Sequence, residues 1–332
     1  MNSRRCERLV WICRLHTLMA EWRPTASLER LKARARLLQD IRAYFSDRDV
    51  LEVETPLISM AGNTDPEIQS IRTDTGGYLR TSPEFPLKRL LAAASGDIFE
   101  LGRVFRAGES GRFHNPEFTM LEWYRTGFSY HQLMDEVADF VRFCGHGKFD
   151  QWPEQRLGYR QLFLDHLDLD PFTADKEELS AAAKKHGFTD IKLERRQWLD
   201  LLISLVIQPA LPEKTLIFIY DFPAEQAALA RIRPGIPPLA ERFELYLGRT
   251  ELANGYQELT NASEQTQRFE DENTQREKRG EVICEIDHHL VAALEHGLPE
   301  CAGIALGVDR LLMNLCDAES ISEVTAFPFS RA

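Results

Sequence analysis

The stretch from Phe99 to Arg125, FELGRVFRAGESGRFHNPEFTMLEWYR, restricts what this chain can fold into more than any other part of it. Both ends alternate with the period of two expected of β-strands. Phe99 to Arg106 makes one strand, with Glu100, Gly102, Val104 and Arg106 on one face. Phe118 to Arg125 makes a second, with Phe118, Met120, Glu122 and Tyr124 on one face, so an aromatic plate, a carboxylate and a phenol stand in a row. Between the strands, Arg106, Arg112 and His114 crowd into a loop containing Gly108 and Gly111. An ordinary hairpin needs no such loop, whereas a polyphosphate beside a flat heterocycle does. Spacing alone leaves two readings open, a surface hairpin laced with salt bridges and a nucleotide site.

A second constellation lies at Glu241 to Asn261, ERFELYLGRTELANGYQELTN. It reads as a strand over Phe243 to Leu247, a turn at Gly248-Arg249 and a strand over about Ala253 to Leu259. Alternation places Asn254, Tyr256 and Glu258 on one face. Glu251 has the opposite parity and joins them only if the chain bulges between Arg249 and Ala253. Glu244 stands on the paired strand. A divalent cation bridging phosphates needs just a few carboxylates beside phosphate and water oxygens, which suits Glu244 and Glu251; half-exposed strand glutamates are the plainer alternative. Upstream, Thr81-Ser82-Pro83-Glu84 precedes a helix through Leu87, Leu90 and Leu91, where a first-turn glutamate is favoured by the exposed amides. Downstream, Gly303 to Leu311 is a strand entering a helix through small residues.

These pieces together resemble the class II aminoacyl-tRNA synthetases, specifically the lysine enzymes. Phe105-Arg106 followed by Arg112-x-His114-Asn115-Pro116-Glu117-Phe118-Thr119 resembles their motif 2. A helix from Ser27, with Leu28, Leu31, Ala35, Leu38, Ile41 and Phe45 at three and four and Arg30, Lys32, Arg34 and Arg36 pointing away, leads into a strand at Val50 to Val53 and then Thr55-Pro56. That order resembles motif 1, which implies a homodimer through this region; Pro56 itself suits an edge or terminal strand position. Asn254-Gly255-Tyr256-Gln257-Glu258-Leu259 resembles the lysine-reading strand, Gly307-Val308-Asp309-Arg310 resembles motif 3, and Ala326-Phe327-Pro328-Phe329 the terminus.

The resemblance implies an α+β fold, the class II catalytic core, with an antiparallel β-sheet flanked by helices. It implies ATP and Mg²⁺ as cofactors, with Arg106 catalytic at the α-phosphate and Arg112, His114 and Arg310 on the β- and γ-phosphates. Asn115 would lie on the ATP side, Phe118 would stack on adenine, and Glu244 and Glu251 would hold the metal. Glu258 and Tyr124 would receive a distal ammonium, with Glu84, Glu122, Asn254 and Tyr256 around the rest of the amino acid. Two departures stand out. Synthetases follow the motif 2 phenylalanine with Arg-Asn-Glu, while this chain has Arg106-Ala107-Gly108-Glu109, so Glu109 is a substitute one place late. Ala305 occupies a glycine position of the synthetases, where its methyl would crowd the α-amino isomer of lysine more than the β isomer.

The resemblance runs from Ala26 to the end as one catalytic domain, with a helical insertion at about 149–188, behind an extension at 1–25. Barely two dozen residues precede the motif 1 helix, too few for the anticodon-binding barrel. This core-only layout is similar to the bacterial elongation factor P lysine ligases, paralogues of lysyl-tRNA synthetase. That family activates (R)-β-lysine and attaches it to a lysine side chain of elongation factor P, so no tRNA is expected as partner. A minimal tRNA-charging enzyme, a synthetase-like amino-acid-binding regulator and an ammonia-using amide synthetase are the alternatives.

Composition adds bounds. The net charge of −12 over 332 residues gives no global basic field for nucleic acid. The cysteines at 6, 13, 144, 284, 301 and 316 form no C-x-x-C pair, as expected of reduced thiols in a cytoplasmic protein. His288-His289 cannot share a helix face, which argues against a metal there. Charges at Glu7, Arg8 and Arg14 interrupt any signal-peptide core, Met19 reads as a second beginning that makes residues 1–18 non-native, and no run approaches a membrane span. Helices are expected over 130–143, 176–186 and 196–207, and a buried strand over 216–220.

Overall fold

The computed structural model describes residues 22–332, so the 1–18 segment and the start at Met19 lie outside the described residues. Helix α1 (Leu28–Ser46) begins where the Ser27 hydroxyl accepts the Arg30 amide at 3.3 Å. Its buried stripe is Leu37, Ile41, Tyr44 and Phe45, while Leu28 and Ala35 are exposed. Two of its arginines do not point away as the sequence suggests. Arg30 pairs with Glu323 at 2.5 Å, and Arg34 pairs with the buried Asp309, because the carboxylates that need partners come from the far end of the chain.

Strand β1 (Leu51–Glu52) follows, then a small three-stranded sheet of β2 (Ile58–Ser59), β3 (Ile71–Arg72) and β4 (Tyr78–Leu79). Helix α2 (Glu84–Ala92) precedes β5 (Ile98–Phe105) and β6 (Glu117–Thr126), and α3 (Tyr130–Gly145) is set by a Ser129–Gln132 capping box. After β7 (Glu154–Gly158) come α4 (Tyr159–Leu167), α5 (Lys176–Lys185) and α6 (Arg195–Leu202), the last continuing into a wide turn at Ile203–Ile207. The chain then adds β8 (Leu216–Pro223), β9 (Ile232–Arg233), β10 (Leu239–Leu247) and β11 (Thr250–Gln257). Helices α7 (Ala262–Arg279) and α8 (His288–Gly297), strand β12 (Cys301–Gly307) and helix α9 (Val308–Leu315) complete it.

The large sheet runs β1-β5-β6-β12-β11-β10-β8-β7, with β9 beside β10. Its central pairs are antiparallel, and only β1/β5 and β7/β8 are parallel. β1 lies at one edge of the sheet, which leaves Pro56 beyond the ladder as its missing N–H requires. One face of the sheet presents Leu121, Trp123, Phe243, Leu245, Ile304 and Leu306 to α1 and α3. Phe45, Phe99, Trp123 and Phe140 interlock there, with centroids 4.5 Å apart for Phe45–Phe99 and 5.5 Å for Trp123–Phe140. Burying each such ring contributes roughly 1.5–3 kcal/mol.

A second cluster joins Tyr159, Phe163, Leu179, Trp198, Leu202 and Ile207 to Ile217, Ile219 and Tyr246 of the sheet. The helical module therefore reaches from Tyr159 to Leu211, beyond the 149–188 expected, and residues 154–158 belong to the sheet. Among the described residues there is no separate β-barrel. No helix among them is long and apolar enough to cross a membrane.

Candidate active site

Alternation along three neighbouring strands builds the floor of a cavity of about 320 Å³ on the sheet face opposite α3. Met120, Glu122 and Tyr124 come from β6, Gly303, Ala305 and Gly307 from β12, and Asn254 and Tyr256 from β11. The register puts them in rows across the sheet. Tyr124, Gly303 and Tyr256 are directly opposite one another, as are Glu122, Ala305 and Asn254.

At one end of the cavity stand three carboxylates. Glu122 is buried and accepts hydrogen bonds from Ser82 Oγ at 2.7 Å and Tyr124 Oη at 2.8 Å. Burial, reinforced by Glu84, pushes its pKa up to about 8. Glu84 opens α2, and Glu258 follows β11. Between the last two lies Lys88, only 1 % exposed, with Nζ 2.7 Å from Glu84 Oε1 and 2.6 Å from Glu258 Oε2. Burial works against the Lys88 ammonium, but the two carboxylates outweigh it and raise its pKa. Burial pushes Glu258 up to about 7 against the pull of Lys88. Of the three, Glu122 is the one with no cation in contact. Gly303 makes the packing possible. A Cβ on it would stand 2.3 Å from Tyr124 Cε1 and 2.5 Å from Glu258 Oε1.

The other end is cationic. Strand β6 covers the roughly 20 Å from Phe118 to Tyr124 at about 3.3 Å per residue. Here Arg106, His114 and Arg310 line the cavity with Glu109, Asn115, Phe118 and Glu251. Arg106 donates from Nε to the Thr81 carbonyl at 3.3 Å, lies 5.3 Å from the Phe118 centroid and pairs with Glu109 at 3.6 Å. Arg310 donates from Nη2 to His114 Nε2 at 2.7 Å and from Nη1 to the Glu251 carbonyl at 2.9 Å. Burial and Arg310 lower the His114 pKa, so its ring is neutral and accepts at Nε2. Asn115 accepts the Phe329 amide at 2.9 Å and so ties the terminus to this loop.

Glu251 reaches the cavity by the bulge that its parity demands. Leu245 pairs with Ala253 but Tyr246 with Glu251, leaving Leu252 as the extra residue. Two residues are not brought to the cavity wall. Glu244 is buried behind it, accepting from Arg242 at 2.5 Å and from Tyr246 at 2.8 Å. Arg112 is well exposed and donates to the Glu319 carbonyl at 2.7 Å. Among the described residues no group of three or more His, Cys, Asp or Glu side chains is arranged to hold a metal.

Sequence reasoning missed Lys88, Ser82, Gly303, Arg242 and Arg276. Lys88 had a signal, since positions 87, 88 and 91 form the buried stripe of α2 and a lysine there needs a partner. Gly303 had one in its alternation with Ala305 and Gly307. Arg276 had none; fully buried, it donates to the Thr64, Asp65 and Ile68 carbonyls and holds the 63–68 loop that borders the cavity.

Comparison with known proteins agrees with this architecture. The family model described as tRNA synthetases class II (D, K and N) matches residues 13–331. A Vibrio cholerae protein named elongation factor P--(R)-beta-lysine ligase is 48 % identical over 328 residues, covering 94 % of this chain and 99 % of its own. Proteins of the same name from Vibrio vulnificus and Yersinia enterocolitica are 46 % and 47 % identical, again covering 94 % of this chain and 99 % of theirs. The chain belongs to the class II tRNA synthetase family of D, K and N type, and within it groups with relatives named elongation factor P--(R)-beta-lysine ligase.

Proposed function

We propose that this protein activates (R)-β-lysine with ATP and transfers it to a lysine side chain of elongation factor P. The observation that carries the reading is a single cavity with a cationic end and a carboxylate end, which suits a polyphosphate and a diamino acid meeting in the middle. The relatives' name supplies the acceptor and the isomer. The regulator alternative is disfavoured because the phosphate-facing Arg106, His114 and Arg310 are all in the cavity wall.

In the proposed reaction the amino-acid carboxylate attacks the α-phosphorus in line, forming a P–O bond while the bond to the β-phosphate breaks and pyrophosphate leaves. Arg106 would neutralise the charge developing at the α-phosphate, and Arg310 with neutral His114 would hold the outer phosphates. Phe118 would stack on adenine, Asn115 would support that side, and Glu109 would remain the Arg106 partner. Mg²⁺ would supply charge neutralisation on the phosphates. Glu251 fits that ion, because its carboxylate faces the cavity beside Arg310. Glu244 could contribute only by releasing Arg242 or Tyr246, and Arg112 could reach the phosphates only by leaving Glu319.

Glu258 and Tyr124 would take the distal ammonium, and Glu84, Glu122, Asn254 and Tyr256 the other amine and the carboxyl region. A neutral amine of the acceptor lysine then attacks the adenylate carbonyl, forming the amide and releasing AMP and a proton. We further propose a homodimer, supported by the exposed Leu28, Leu51, Leu57, Ile58 and Met60 along the motif 1 region, and a cytoplasmic site of action. The test is amino-acid-dependent pyrophosphate exchange. (R)-β-lysine should support it best among lysine isomers, and exchange with acidic amino acids instead would overturn the reading.

A further inference from the structure

We propose that Lys88 is a positioning residue for substrate selection: a built-in ammonium that ties down one oxygen of Glu84 and one of Glu258, aims the other two, and so makes the cavity specific for acids with two ammonium groups. This rests on reading the carboxylate end as the amino-acid site. Lys88 comes from α2 and takes one oxygen of each carboxylate, Oε1 of Glu84 and Oε2 of Glu258. The second oxygen of each is thereby left for a ligand, and Glu258 Oε1 packs over the bare backbone of Gly303 on the cavity floor.

Charge arithmetic supports the assignment. Glu84, Glu122 and Glu258 carry three potential negative charges and Lys88 one positive charge, leaving two to be matched. The acyl part of a diamino acid brings two ammonium groups once its carboxylate has become the adenylate. Around the carboxylates stand Tyr124 from β6, Tyr256 from β11 and Cys301 from β12, all pushed up by burial and so neutral, and Asp65 and Glu272 line the same cavity beyond them, Glu272 pushed up to about 7 by burial and Asp65. On the α8 side Leu290 and Leu294 pack in the same apolar cluster as Leu87 and Leu91, and Glu285, Asp287, His288 and His289 line a neighbouring cavity with Glu84. Without Lys88, the buried Glu122 and Glu258 and the partly buried Glu84 would face one another with no internal cation, and nothing would fix the orientation of Glu84 and Glu258.

The experiment compares pyrophosphate exchange supported by (R)-β-lysine with that supported by (R)-3-aminohexanoate, which has the same chain without the distal amine. Wild type should prefer the diamino acid strongly. Lys88→Met should lower that kcat/KM preference by at least about tenfold, through the KM for the diamino acid, while the KM for ATP stays within about twofold. An unchanged preference, or equal losses for both amino acids and ATP, would overturn the proposal and make Lys88 a packing residue. Should Lys88→Met fail to fold, Lys88→Arg and Lys88→Gln decide it: a preference kept by Arg and lowered by Gln supports the role, and equal preferences overturn it. A wild type that exchanges with neither acid would instead refute the amino-acid site itself.

Discussion

Adding one methyl at Gly303 is the sharpest perturbation that the site offers. An ideal Cβ there would lie 2.3 Å from Tyr124 Cε1, 2.5 Å from Glu258 Oε1 and 2.5 Å from Tyr124 Cδ1. None of these atoms can retreat cheaply. Tyr124 is 2 % exposed and its hydroxyl is committed to Glu122 at 2.8 Å, while Glu258 is 1 % exposed and held by Lys88. Overpacking of a tight core costs about 1–3 kcal/mol, and giving up the Tyr124–Glu122 hydrogen bond adds about 1 kcal/mol. Both displaced groups belong to the proposed ammonium site, so Gly303→Ala should raise the KM for (R)-β-lysine by about 10–200-fold. ATP binding, carried at the other end of the cavity, should change less than about twofold. Pyrophosphate exchange with amino acid varied at saturating ATP, alongside calorimetric titration of ATP, makes the measurement. A near-normal amino-acid KM would refute the reasoning, as would an equal loss in ATP affinity.

The opposite change at the neighbouring small residue, Ala305→Gly, should open space between Glu122 and Asn254 and improve use of α-lysine by roughly 10–200-fold in kcat/KM, with a smaller change for the β isomer. A preference ratio that moves less than about twofold in exchange assays would exclude steric selection there. Glu258→Gln leaves a substrate ammonium without its carboxylate, at a cost of about 3–5 kcal/mol, and should nearly abolish exchange while ATP still binds; near-normal exchange would refute the assignment. Burial makes ionisation of Glu122 costly up to about pH 8, and an ammonium ligand needs the ionised form. The KM for amino acid should therefore fall as pH rises from 6 to 8, by up to about tenfold per unit, and Glu122→Gln should flatten that slope; a flat wild-type profile would contradict it. The protein should sediment at twice its 38.1 kDa at micromolar concentration, and a monomer would remove the dimer from the account.

Much of the site was legible because strand periodicity is a hard rule. Phe118, Met120, Glu122 and Tyr124 share the cavity face as alternation required, and the parity of Glu251 already demanded the bulge found at Leu252. Long-range charge pairing was not legible. Nothing local to the first helix announces that Arg34 turns inward to Asp309, or that Arg276 will satisfy backbone carbonyls more than two hundred residues away. Glu244 looks like a cavity residue in the sequence and is claimed in the fold by Arg242 and Tyr246, its same-face neighbours two residues away on β10, a local pairing that alternation already permitted. The extent of the helical module was blurred too, because Trp198 and Ile207 join Tyr159 only through tertiary packing.

The central claim is transfer to a protein, and it is tested most directly by offering labelled (R)-β-lysine and ATP with elongation factor P and lysine tRNA together. The account predicts label on elongation factor P at a single lysine, as a base-stable amide, with the tRNA unlabelled. Label on the tRNA beside an unmodified protein would contradict it.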